Sequence, residues 1–395
     1  MLMVATLNFF PVDNGDMTLI ELESGKTILI DVNIRGAADD SNNPTPDVAR
    51  MLRNKLKRDF KGRLYVDVLL LTHPDQDHCR NLEKHFHLGS PDTYCKSEDK
   101  IFIREIWSSP MVFRRARRTL TLHHLILCED AQAFNTEARR RVKCFRENGL
   151  AGVGDGDRIQ IMGEDENGKT DDLGLILVKV GDLVTKVNGS FDSSMTARLL
   201  GPVAKFDSEE EEEALAKNRS SVILRFDLKS VINNAACRFL TAGDAEVAVW
   251  ERLWIEHHQH PDWLQYDILQ TPHHCSWRSL SDDSWRELGR QAKVSEYARK
   301  ALSQARYGAV IVASCKPISA EDSDPPCIRA KQEYEAIAKE VSGSFKCTGE
   351  YPTKTSPSTM EFEIGRYGPR LKSLMMGDLS SRSPGIITRQ PQSHG

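Results

Sequence analysis

The stretch LYVDVLLLTHPDQDH, residues 64–78, constrains the fold more than any other part of the chain. Residues 64–72 are almost continuously apolar. A strand with one wet face alternates apolar and polar positions, whereas a run like this is what a strand shows when both faces of its sheet are covered. The chain therefore needs packed layers on both sides of the sheet that holds this strand. The run then stops on His73, Asp75, Asp77 and His78, four ligand-type residues within six positions. Alternate side chains share a face while the backbone stays extended, and a turning loop then brings them together. Imidazole and carboxylate in one cluster suit zinc, manganese or iron. The plainer reading is a polar loop capping the next helix, with Asp77 as the N-cap. So dense a set of ligand types weighs against it.

Two later segments repeat the pattern of an apolar strand ending on polar residues. CRFLTAGD places Asp244 after a strand, and YDILQTPHHC places His273 and His274 after another. Each is weak alone, since a Gly-Asp pair is often only a turn. Together they describe a site assembled from distant sequence at one edge of a sheet.

The rest of the chain reads as mixed α/β. Residues 4–31 form hairpins, with Gly15 in the DNGD turn and Gly25 in the SGK turn. Residues 47–60 have helical spacing, IFIREIWSS is a strand, and 111–147 is a basic helical stretch. Residues 150–217 look like strands and loops around an insertion. SSVILRFDL and GAVIVASC are strands, a helix starts at Glu246, PPCIRAKQEYEAIAKEV is a helix opened by prolines, and TMEFEI is a late strand. The tail from about 372 is polar and is expected to be disordered.

Composition excludes several classes. No run of 18 apolar residues exists, so no transmembrane helix is expected. Nine scattered cysteines without a CxxC pair argue for reduced thiols in a cytoplasmic protein. The net charge of −4 does not announce nucleic acid. Its distribution includes an acidic block, Glu209 to Glu213, and two basic clusters: Arg114, Arg115, Arg117 and Arg118, then Arg139, Arg140, Arg141, Lys143 and Arg146. Each cluster is either a solvated helix face or a phosphate-tracking surface. Trp107, Phe113 and Trp277 are either packing residues or platforms for stacked bases.

The motif set THPDQDH, TAGDAE and TPHHCS, in this order, resembles the metallo-β-lactamase superfamily, and within it the hydrolase domain at the C-terminus of the DNA-uptake protein ComEC. FPVDNGDMTLIELESGKTILIDVN resembles that family's opening, and NRSSVILRF its Asn-x-x-Ser strand. The resemblance implies an α/β fold, a metallo-β-lactamase-like four-layer αββα sandwich. It implies one hydrolase domain over residues 1–371, extra sequence at about 85–217, and the tail 372–395 outside it. It also implies two divalent ions, Zn²⁺ or Mn²⁺. His73 and Asp75 would hold the first and Asp77 and His78 the second. Asp244 would bridge them and His273 would complete the second site. His274 would be the ligand instead or a proton donor beside it, so that Asp77 and His274 are the expected catalytic residues. Asp31 would support the ligand loop from behind.

Three departures stand out. Asp75 occupies a position where many relatives have His, a change shared by the ComEC-like branch. Cys275 stands where the family often has Gly. A third-motif His is not placed; His85, His87, His123 and His124 lie in the right interval but read as ordinary histidines. The function implied is a metal-dependent phosphodiesterase acting on DNA or RNA. The alternatives are a hydrolase of a small nucleotide, lactone or other ester, and a non-catalytic subunit that binds protein partners in a multi-gene system. No membrane association is expected.

Overall fold

The computed structural model describes residues 4–37, 43, 45–113, 127–164, 168–202, 220–230, 233–322 and 324–372. They form a mixed α/β protein built on two large sheets. The first sheet runs in the order Leu177–Val178, Arg158–Met162, Ile101–Ser108, Leu64–Leu71, Thr27–Ile30, Thr18–Glu21, Ala5–Phe9, Met360–Gly365, Gly368–Leu371. The second runs Leu183–Val184, Met195–Gly201, Ile223–Ser230, Asn233–Thr241, Tyr266–Gln270, Ala305–Ala313, Ser344–Cys347. Each sheet is part antiparallel and part parallel, and the site lies at the parallel parts.

Side-chain alternation shows why the strand at 64–71 is almost wholly apolar. Val66, Leu69 and Leu71 join a cluster under the helices Val48–Lys55 and Glu129–Asn148, with Leu52, Phe134 and Val142. Val68 and Leu70 face the other way, into a cluster shared with Leu224, Phe226, Phe239 and Ile268 of the second sheet. The far face of the second sheet is covered by Val247–His257, Glu296–Leu302 and Ile328–Glu340, through Trp250, Leu253, Leu302 and Tyr334. Helices, sheet, sheet and helices therefore follow in succession around three apolar layers. Full burial of each such side chain contributes roughly 1.5–3 kcal/mol, so an Asp at Val68 would unmake the central layer.

The strands carry their ends to one edge because of parallel pairing. Leu64–Leu71 runs parallel to Thr27–Ile30, with Leu70 opposite Ile30, and to Ile101–Ser108, with Leu71 opposite Ser108. Asn233–Thr241 runs parallel to Tyr266–Gln270, with Leu240 opposite Leu269. The Val222 amide donates to the Thr72 carbonyl at 3.0 Å and ties the two edges together.

One expectation needs correction, and another gains detail. The segment expected to hold strands and loops around an insertion supplies strands to both sheets. Arg158–Met162 pairs in parallel with Ile101–Ser108, and Met195–Gly201 pairs antiparallel with Ile223–Ser230. The helix expected over 111–147 is found at Glu129–Asn148, after a 3₁₀ turn at Pro110–Phe113. Residues 114–126, the Glu209 to Glu213 block and the tail from 373 lie outside the described residues.

Candidate metal centre

The centre is built from five chain segments. Asp31 follows the strand Thr27–Ile30 with φ 57°, and its amide donates to the Leu70 carbonyl at 2.8 Å. Its carboxylate accepts from the Thr72 amide at 2.7 Å and the Thr72 hydroxyl at 2.6 Å, and meets His78 Nδ1 at 2.7 Å. Asp31 thereby fixes both the start of the ligand loop and the ring that the loop carries. The short helix Gln76–Cys79 begins on Asp75, whose side chain makes no capping bond. Capping therefore does not explain the carboxylates.

Gly15 makes the next approach possible. A Cβ there would stand 1.8 Å from Asn33 Nδ2 and 2.6 Å from the Asp77 carbonyl. The bare turn lets the Asp16 amide donate to that carbonyl at 3.2 Å and brings the Asp16 carboxylate, 1% exposed, into the cluster. Gly243 serves the same end, with Thr72 Oγ1 only 2.7 Å from where a Cβ would be. The Asp244 amide donates to Ser221 Oγ at 3.1 Å. The third loop is strained. His273, His274 and Cys275 all have left-handed backbones, φ 50°, 53° and 67°. Such residues cost roughly 1–2 kcal/mol each. The turn is held by the His273 amide on the Gly243 carbonyl at 3.0 Å and the Cys327 amide on the Cys275 carbonyl at 3.0 Å. A left-handed position explains why Gly would suit 275.

Asp244 sits at the middle with its two oxygens facing different neighbours. Oδ1 lies 3.0 Å from His78 Nε2 and 3.3 Å from His274 Nε2. His274 Nε2 is also 3.2 Å from Asp77 Oδ2 and 3.3 Å from His78 Nε2. Oδ2 lies 3.5 Å from His73 Nε2 and 3.7 Å from His273 Nε2, and His73 Nε2 is 3.7 Å from Asp75 Oδ2. Ligand atoms around a tetrahedral ion with bonds of about 2.1 Å stand roughly 3.4 Å apart, so these spacings fit. Asp16, His78, Asp244 and His274 are all buried, with ligand atoms within 4.8 Å of one another, a group that can hold a metal ion.

Two further observations support the fit. Asp16 Oδ1, His73 Nε2, His273 Nδ1 and His274 Nδ1 are buried without a hydrogen bond. Such orphans cost about 1–3 kcal/mol each unless something else satisfies them. Protons crowd the site for the same reason. Burial opposes a charged His274, but Asp244 and Asp16 outweigh it and its pKa is pushed up to about 10. Burial also opposes a charged His78, yet Asp244 and Asp31 hold it well above the imidazole range. The carboxyls of Asp77 and Asp244 are held low by these imidazolium neighbours, against the pull of burial. A cation would replace those protons.

The structure thus brings His73, Asp75, Asp77, His78, Asp244, His273, His274 and Asp31 together. Of the two alternatives implied by the resemblance for the second site, His274, not His273, approaches Asp77 and His78, because the left-handed turn swings the two rings apart. Asp16 was missed. Its only signal was the Gly-Asp turn, which gives no hint of burial. His87 is a core residue, its Nε2 3.0 Å from the Ser90 carbonyl and its ring stacked on Phe102. His85 lies on the helix Leu82–His85 outside the cluster, and His123 and His124 are outside the described residues.

The basic helix is corrected. Arg141 is 1% exposed, donating to Glu137 at 2.6 Å and to the carbonyls of Ile103 and Arg158. Arg140 is bound to Glu137 and Asp157, and Arg139 Nε donates to the Val112 carbonyl at 2.6 Å. Internal partners thus take up Arg140 and Arg141 instead of phosphates. Arg114, Arg115, Arg117 and Arg118 lie outside the described residues. Trp107 and Trp277 are buried and offer no stacking face, and the Phe113 side chain is not among those described. No helix among the described residues is long and apolar enough to cross a membrane.

No family model matches the chain, and no curated protein matches it significantly.

Proposed function

We propose that the protein is a metal-dependent phosphodiesterase of the metallo-β-lactamase type, a hydrolase that cleaves nucleic acid with two divalent ions, Zn²⁺ or Mn²⁺. The observation that carries this reading is the position of Asp244, whose two carboxylate oxygens face two separate sets of histidine and aspartate. The motif order THPDQDH, TAGDAE and TPHHCS supports the family. His73, Asp75, Asp244 and His273 would hold one ion, and Asp77, His78, Asp244 and His274 the other. Bound together, such ions supply an acidified water and neutralise charge on a phosphoryl group.

The chain's own residues do the rest. Asp31 and Thr72 hold the rings of His78 and His73, and Asp16 sets a negative charge behind His274. The buried walls keep the imidazoles and Asp244 away from bulk water. Asp75, Asp77 and His273 have side chains 26%, 31% and 14% exposed, so substrate would approach from their side. Imidazole and carboxylate together suit Zn²⁺, and the carboxylate share also suits Mn²⁺.

A second reading, hydrolysis of a small nucleotide or other ester, is favoured by the internal pairing of Arg140 and Arg141, which removes one expected polymer-binding surface. Incubation of the purified protein and Asp77→Ala with single- and double-stranded DNA and RNA, in Mn²⁺ or Zn²⁺, tests both. Cleavage by the wild type alone is expected. Intact polymers beside rapid turnover of a small nucleotide or ester would favour the second reading. Inertness toward all of them would sink both.

A further inference from the structure

We infer that the two sides of the centre fill in order, the Asp77–His78–His274 side first and the His73–Asp75–His273 side second, and that Asp16 and Asp31 set that order. The inference rests on the two-ion reading above and concerns which residues govern affinity.

Ligand spacing already favours the first side, where Asp16, His78, Asp244 and His274 have ligand atoms all within 4.8 Å of one another, a group the described residues do not repeat on the second side. What stands behind the ligands separates the two sides further. On the first side each imidazole has a buried carboxylate at its far nitrogen. Asp31 Oδ2 is 2.7 Å from His78 Nδ1, and Asp16 Oδ1 is 3.4 Å from His274 Nδ1. Both carboxylates are buried, at 0% and 1% exposure. The Asp31 hydrogen bond fixes the His78 ring, selects the tautomer whose Nε2 lone pair faces inward and raises its basicity, while Asp16 sets a negative charge 3.4 Å behind the His274 ring. On the second side, His73 Nδ1 has the Thr72 hydroxyl at 3.2 Å, and His273 Nδ1 is buried with no hydrogen-bond partner.

Charge acts in the same direction. The first side gathers Asp16, Asp31 and Asp77 around the shared Asp244, whereas the second has Asp75. In a buried site a dication is drawn to the richer set of carboxylates. Burial of the rings agrees as well: His78 and His274 are both 0% exposed on the first side, whereas on the second His73 is 0% and His273 14% exposed. The second side is therefore the exchangeable one, filled at higher metal concentration.

Calorimetric titration of Zn²⁺ into the metal-free, full-length protein reads the order without reference to catalysis. Two events are expected, the first tighter by tenfold or more. Asp16→Asn should weaken the first event by about 10–100-fold, the usual cost of losing such a partner, and leave the second in place. His273→Ala, a change at a partly exposed residue, should weaken the second event alone. Thermal unfolding of each metal-free variant separates this from misfolding, and His273→Ala keeps the test decisive should Asp16→Asn not fold. Two equal events in the wild type, or loss of the tighter one in His273→Ala, would overturn the inference. Equal events with polymer cleavage intact would overturn the order alone, whereas no binding at all would overturn the metal centre and the order together.

Discussion

The centre around Asp244 and the helix Glu129–Asn148 are both dense in charge, and the difference between them is in what the charges leave unmet. In the helix, Glu137 accepts from Arg141 Nε at 2.6 Å, from Arg140 at 2.8 Å and from the Gly89 amide at 2.9 Å. Arg141 places its other donors on backbone carbonyls. That network is closed and glues the helix to the first sheet. Around Asp244, four buried ring and carboxylate atoms lack hydrogen bonds, and imidazolium groups crowd against carboxylates. That network is open and is completed by a cation. Charge density alone did not separate the two in the sequence; the satisfaction of each polar atom does.

The largest effect that would break this comparison is chemical. Asp244→Asn should abolish phosphodiester cleavage, by about 10⁴-fold or more, some 5 kcal/mol of barrier, while the metal-free protein stays folded. Retained cleavage in a kinetic assay would remove the central residue from the site. Next comes Glu137→Ala, which should do the reverse. It leaves Arg141 buried and unpaired, so denaturant unfolding should show a loss of about 3–5 kcal/mol, with metal stoichiometry unchanged.

Glu105 sharpens the comparison with an intermediate case. It is 2% exposed and accepts from the Asn188 amide at 2.7 Å and Gln160 at 3.3 Å. Burial pushes its pKa from 4.5 up to about 7. The folded state therefore favours the protonated form. The resulting stability is fully present below pH 4.5 and is lost as the pH rises through 7, by up to roughly 3 kcal/mol. Glu105→Gln should remove that slope and stabilise the protein at pH 8. An unchanged pH profile of unfolding would contradict it. The smallest effect is expected at Cys275. Replacement by Gly relieves a left-handed backbone but removes a buried side chain, so the melting point should move by no more than about 1 kcal/mol equivalent.

Much of this was legible in the sequence for physical reasons. A strand covered on both faces is expected to be almost entirely apolar, and residues 64–71 are, apart from the buried Asp67, which accepts from the Thr27 amide and Arg104. Hairpin glycines marked the opening strands, and strand ends marked His73, Asp244 and His273. What was hidden depends on tertiary structure. Asp16 looks like any turn aspartate until Gly15 lets it approach Asp77. The roles of His273 and His274 turn on three left-handed residues that no propensity favours. Strands were expected between 150 and 217, but which sheet each joins depends on pairing with Ile101–Ser108 and Ile223–Ser230, distant in the chain. Arg141 had a visible clue, since Glu137 stands four residues before it on a helix, and that spacing pointed to an ion pair instead of a phosphate contact.

Metal content tests the central claim most directly. The purified protein, dialysed against Zn²⁺ or Mn²⁺ and measured by elemental analysis beside Asp244→Asn, should carry two ions per chain where the variant carries fewer. An ion-free wild type at saturating metal, or a variant that binds as many ions as the wild type, would contradict it.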